Sequence, residues 1–123
     1  MVVHSRDGLD EISCGAATDV AELKDGQIRR FSIRPEDFGV RRSPIDCLKV
    51  ENAEQSLAII RGVLEDQSGS ARDIVMLNAG AAIYTAGLTD NLQQGIEKAD
   101  GAIASGAARN RLDQLVILTQ SFD

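Results

Sequence analysis

At 123 residues the chain fits a single domain of ordinary size, and its 43% hydrophobic and 26% charged residues exclude wholesale disorder. Nineteen acidic against thirteen basic residues leave a net charge of -6, which argues against a polyanion such as nucleic acid as partner. No apolar run approaches the ~20 residues that cross a bilayer, and no signal-peptide stretch precedes Arg6 and Asp7, so the chain reads as soluble and cytoplasmic.

Met1-Val2-Val3-His4 is a short apolar run suited to a strand buried on both faces. Such a strand needs neighbours on either side, which leads to the expectation of missing upstream sequence. The acidic, glycine-containing turn Ser5-Arg6-Asp7-Gly8-Leu9-Asp10-Glu11-Ile12-Ser13 follows. Thr18 to Ile33 reads as a hairpin, with Asp25-Gly26 as a type I′ turn between two β-rich runs. Pro35, Glu36 and Asp37 open a single helical turn that Gly39 ends, and Arg41 to Pro44 continue as a surface loop.

Three or four helices come next. Glu51 to Gln67 carries Ala53, Leu57, Ile60 and Leu64 on one stripe, with Asn52 as a candidate cap and Gly69 as its stop. Ala71 to Gly87 is apolar on most sides and demands burial, yet few strands are available to cover it. An exposed patch on this helix, and hence a missing partner or an interface, is the expectation. Asn91 to Ser105, capped by Asp90 or Thr89, turns Leu92, Ile96, Ala99 and Ile103 inward. Gly106 breaks it, and Ala107 to Gln120 presents Leu112, Leu115, Val116 and Leu118. The fold class is α/β in an α+β-looking arrangement: a short buried strand, a hairpin, then helices.

Little chemistry stands out. Cys14 and Cys47 lack CxxC spacing and, with a single histidine, make a poor zinc set; both read as thiols of a reducing compartment. His4 reads as a hydrogen-bonded structural residue rather than a base. Asn78, alone in an apolar helix, should satisfy a neighbouring backbone group. Neither GxxxxGK[ST] nor GxGxxG occurs, so the chain has no phosphate-cradling loop of those kinds. Asp7, Asp10 and Glu11 are the one constellation of hard oxygen ligands, and such ligands suit Mg²⁺. Read from the residues alone, the acids belong to a backbone-capping turn before they belong to a metal site.

A resemblance reverses that order. Val2-Val3-His4-Ser5 with Asp10-Glu11-Ile12-Ser13 resembles a stretch of the anthranilate phosphoribosyltransferase family. The likeness continues through Thr18…Val20-Ala21-Glu22-Leu23, Pro35-Glu36-Asp37-Phe38-Gly39, Leu77 to Tyr84 and Ser105-Gly106-Ala107-Ala108. It departs at Ala17, where the family often has proline, and at Gly80, where it often has alanine. The resemblance implies transfer of 5-phosphoribosyl from phosphoribosyl pyrophosphate to anthranilate in tryptophan biosynthesis, with Asp10 and Glu11 as Mg²⁺ ligands. It also implies that residues 1–123 are the C-terminal part of a glycosyltransferase-like α/β domain. The family's glycine-rich substrate loop, anthranilate contacts and dimerising helical domain then lie upstream of Val2, and the chain alone should be inactive. Two other readings compete: a non-catalytic binding module of the same fold, and a related phosphoribosyl or nucleoside transferase with another acceptor.

Overall fold

A computed structural model describes residues 1–122. Three antiparallel strands form one sheet in the order β1 (Val2–Ser5), β2 (Thr18–Lys24), β3 (Gln27–Ile33). Two short 3₁₀ turns, Pro35–Phe38 and Ile45–Leu48, lead into α1 (Ala53–Leu64), α2 (Ser70–Thr85), α3 (Leu92–Ala104) and α4 (Ala107–Gln120).

The hairpin forms where Asp25-Gly26 predicts it. Both residues have positive φ, 51° and 74°, as a type I′ turn requires, and Lys24 pairs directly with Gln27. β1 differs from expectation. It pairs only with β2 among the described residues, and Val2 is 71% exposed, so the strand is an edge and not doubly buried. Continuous apolar sequence signals burial on both faces only where other layers cover both faces of the strand. Val3 still packs on the core and Ser5 is fully buried.

Across the sheet, Arg6 donates to Asp19 through Nε and Nη2, at 3.2 and 2.8 Å. The Ser32 hydroxyl adds a 2.6 Å bond to the same carboxylate. The Arg6 and Ser32 hydrogen bonds hold the Asp19 carboxyl at about 2, well below its ordinary range. A depressed carboxyl stabilises the fold above its unfolded pKa, and that contribution disappears as pH falls through about 2. The cluster is exposed, so salt screens it. Arg6→Gln is therefore expected to raise the Asp19 pKa, read by a carboxyl NMR titration, with little change in thermal stability at neutral pH.

The helices rest on specific end signals. Asn52 caps α1 as expected, its Oδ1 accepting from Gln55 N at 2.9 Å. Asn91, and not Asp90 or Thr89, caps α3 in the same way through Gln94 N. α1 ends at Leu64, well before Gly69. Asp66 takes the left-handed conformation at φ 61°, and the Gln67 and Asp66 amides return to the Gly62 and Val63 carbonyls. This is a Schellman closure with aspartate at the position that usually holds glycine. The Asp66 side chain is engaged too: Arg72, 14% exposed, donates at 2.6 Å to Asp66 and at 2.6 Å to Asp100. One guanidinium thereby ties the α1–α2 connection to α3.

α2 runs through the middle of the helical layer. Leu77 has no exposed surface, and Met76, Gly80 and Ala81 are buried with it. The expected exposed patch on this helix is largely absent, because α3 closes over it at unusually short range. A Cβ on Gly80 would stand 2.5 Å from Ile96 Cα, and one on Gly95 would run into the Gly80 carbonyl oxygen. Two glycines meeting backbone to backbone let Ile96, Ala99 and Ile103 fill the seam. Exposed apolar surface lies elsewhere. The expected stripe of α1 looks outward at Leu57 and Ile60, while Val63 is its buried residue. α4 has no buried residue, and Leu115 to Leu118 are all exposed. A helix with apolar residues on two sides does not reveal by periodicity which side the fold selects.

Candidate functional site

The acidic turn between β1 and β2 is built on a buried polar floor. Gly8, at φ 96°, permits the turn in which Ser5 N donates to Leu9 O at 2.9 Å and Gly8 N to Ser5 O at 3.1 Å. Ser13 donates from Oγ to Asp7 Oδ2 at 2.5 Å and accepts from Gly15 N at 2.8 Å. Its own N–H reaches Thr18 Oγ1 at 3.3 Å. Ser5, Ser13 and Thr18 are fully buried, and no buried side-chain N or O is left unpaired among the described residues.

The loop then dives into the core. Ile12 is 3% exposed and Cys14 has no exposed surface. The Cys14 carbonyl accepts from Ser43 N at 3.0 Å, and burial pushes the Cys14 thiol above its usual range. Asn78 of α2 holds both polar groups of the Ile12 backbone: its Oδ1 accepts from Ile12 N at 3.0 Å and its Nδ2 donates to Ile12 O at 2.8 Å. Asn78 does satisfy backbone, including the Ile74 carbonyl of its own helix, but its main partner lies 66 residues away.

The sequence-predicted acids separate in this framework. Asp10 and Glu11 are adjacent and exposed, and neither carboxylate accepts a hydrogen bond or ion pair among the described residues. Asp7 does not join them. Burial works against its charge, yet the Ser13 and Ser5 hydroxyls and the Leu9 N–H outweigh that and hold its carboxyl below the ordinary range. Its oxygens are committed to the loop's own structure. No three His, Cys, Asp or Glu side chains converge on one point among the described residues. His4 corrects its expectation: it is exposed on β1 opposite Asp19 and makes no side-chain hydrogen bond there.

The donor set nonetheless fits a magnesium ion. Mg²⁺ is a hard cation held by one or two carboxylates, with water and substrate phosphates completing the shell. Two uncommitted carboxylates, on a turn fixed from beneath by Ser13, Thr18 and Asn78, meet that description. Sequence reasoning found the pair but not this support. The signal for Asn78 was present as one amide within an otherwise apolar helical run; its partner was not.

Comparison with known proteins agrees with this architecture. Residues 1–109 match the model of the glycosyl transferase family, a/b domain, and the chain belongs to that family. At 57% identity over 121 residues, it is similar to anthranilate phosphoribosyltransferase from Thioalkalivibrio sulfidiphilus, with 98% of this chain and 36% of the relative aligned. The crystal structure of the Thermus thermophilus anthranilate phosphoribosyltransferase superposes with a TM-score of 0.84 at 34% identity, covering 94% of this chain and 34% of that one. The Saccharomyces cerevisiae enzyme in complex with PRPP and Mg shares the fold, with a TM-score of 0.85 at 22% identity over 97% of this chain and 34% of that one. The chain thus spans about a third of the length of the curated relatives it matches.

The same comparisons bear out the expected α/β fragment, and of the three or four helices expected after the hairpin the structure has four among the described residues. No helix among the described residues is long and apolar enough to cross a membrane.

Proposed function

We propose that this chain is the C-terminal portion of an anthranilate phosphoribosyltransferase, in which Asp10 and Glu11 ligate Mg²⁺. The reaction moves a 5-phosphoribosyl group from phosphoribosyl pyrophosphate to the amine of anthranilate, a step of tryptophan biosynthesis. One observation carries the reading: the two free carboxylates stand on an exposed turn hydrogen-bonded to a buried floor, in a chain more than half identical to enzymes of that name. The magnesium complex of the yeast enzyme supports the choice of ion.

Bound Mg²⁺ supplies neutralisation of the negative charge that gathers on pyrophosphate as the C1–O bond breaks. Asp10 and Glu11 hold the ion from the protein side and leave most of its shell to water and phosphate oxygens. Ser13 and Asp7 fix the turn beneath them, so little reorganisation is needed when charge develops. The groups that position both substrates and a dimerising helical domain belong to the remainder of the protein. A cytoplasmic setting goes with the reading, supported by the free thiols of Cys14 and Cys47.

The test is the Asp10→Asn, Glu11→Gln variant of the complete protein, followed by loss of anthranilate fluorescence. Losing several kcal/mol of charge stabilisation is expected to lower Mg²⁺-dependent turnover by roughly a hundredfold or more. Turnover with unaltered Mg²⁺ dependence would overturn the assignment. The 123-residue chain alone is expected to show none, because alignment of two substrates contributes much of a bimolecular rate.

A further inference from the structure

Asn78 sits where its own helix has no use for it. It interrupts the apolar run from Ile74 to Ile83, and asparagine is a poorer helix former than the alanines around it. Its amide instead reaches the loop: Oδ1 takes the Ile12 N–H at 3.0 Å and Nδ2 meets the Ile12 carbonyl at 2.8 Å. The Ile12 N–H belongs to the Glu11–Ile12 peptide unit. Fixing that N–H fixes the plane of the unit, and with it the last soft backbone dihedral of Glu11. Ile12 is held at the same time by its buried side chain. The carboxamide's third hydrogen bond, donated by Nδ2 to the Ile74 carbonyl at 2.9 Å, keeps it from rotating.

We propose that Asn78 is a positioning residue for the metal-binding pair: by clamping Ile12 it aims Asp10 and Glu11 at a common divalent cation. This rests on the reading of that pair as Mg²⁺ ligands. Groups that orient ligands in this way are worth ten- to a hundredfold in metal affinity. The clamp also couples α2 to the acidic turn, so cation binding should be felt at the Asn78 carboxamide itself.

The probe is Mn²⁺ alone, titrated into the complete protein that contains this chain and read by electron paramagnetic resonance. Binding that is lost in Asp10→Asn, Glu11→Gln and weakened at least tenfold in folded Asn78→Ala is the expected result. A folded Asn78→Ala protein with unchanged affinity overturns the positioning role and leaves the metal reading intact. Binding unaffected by the acidic double variant, or absent from the unaltered protein, overturns the metal reading and the proposal with it. Should Asn78→Ala not fold, the unaltered protein decides. Mg²⁺ is then expected to shift the Asn78 side-chain amide resonances and to slow exchange of the Ile12 amide several-fold; if it does neither, the proposal falls.

Discussion

Gly95→Ala is expected to destabilise the chain by about 3 kcal/mol and to lower its melting temperature by roughly 10 °C. The added methyl meets the Gly80 carbonyl oxygen, a backbone atom that cannot rotate away. α3 would have to lift off α2 and carry Ile96, Ala99 and Ile103 out of the buried seam. Helix propensity alone predicts the opposite sign, since alanine improves on glycine by up to ~1 kcal/mol in a helix interior. Gly101 provides the internal comparison: it lies in the same helix with nothing within 4 Å of a Cβ. Gly101→Ala is therefore expected to stabilise by about 0.5–1 kcal/mol. Urea unfolding of both variants checks the pair. Equal effects at the two positions would show that α2 and α3 do not approach as closely as described.

The second large effect concerns Leu77. Its side chain is completely enclosed, and Leu77→Ala is expected to cost about 3 kcal/mol from lost transfer energy and the cavity left behind. Ile117, equally apolar, is 69% exposed on α4, and Ile117→Ala should stay within about 0.5 kcal/mol of the original chain. Both values come from denaturant midpoints at constant slope. A cost at Ile117 comparable to that at Leu77 would mean that α4 is covered in solution.

The elements legible from sequence were those written in local chemistry. Asp25-Gly26 can hardly be anything but a tight hairpin turn, and Gly106 marks the junction before Ala107–Gln120 because its φ of 73° suits glycine. Asn52 gave its cap away by standing just ahead of a helical run. Asp10 and Glu11 were visible as adjacent carboxylates after a strand. What escaped was set by distant partners. The outward face of α1 depends on which side α2 takes, and Val63 was not distinguishable from Leu64 by spacing. The retreat of Asp7 from the acidic pair depends on the buried Ser13 hydroxyl. The bond from Asn78 to Ile12 joins residues with no local relation in sequence.

Asp66 is a position where the two halves of one residue ask for different amino acids. Its left-handed backbone at the end of α1 would be more at ease as glycine, while its carboxylate holds Arg72. Glycine relaxes the turn and leaves Arg72 with Asp100 alone; glutamate keeps a charge but brings a bulkier side chain into an unfavourable conformation. The residue at 66 is thus locally suboptimal and jointly constrained. A change there is better read together with residue 72 than by itself.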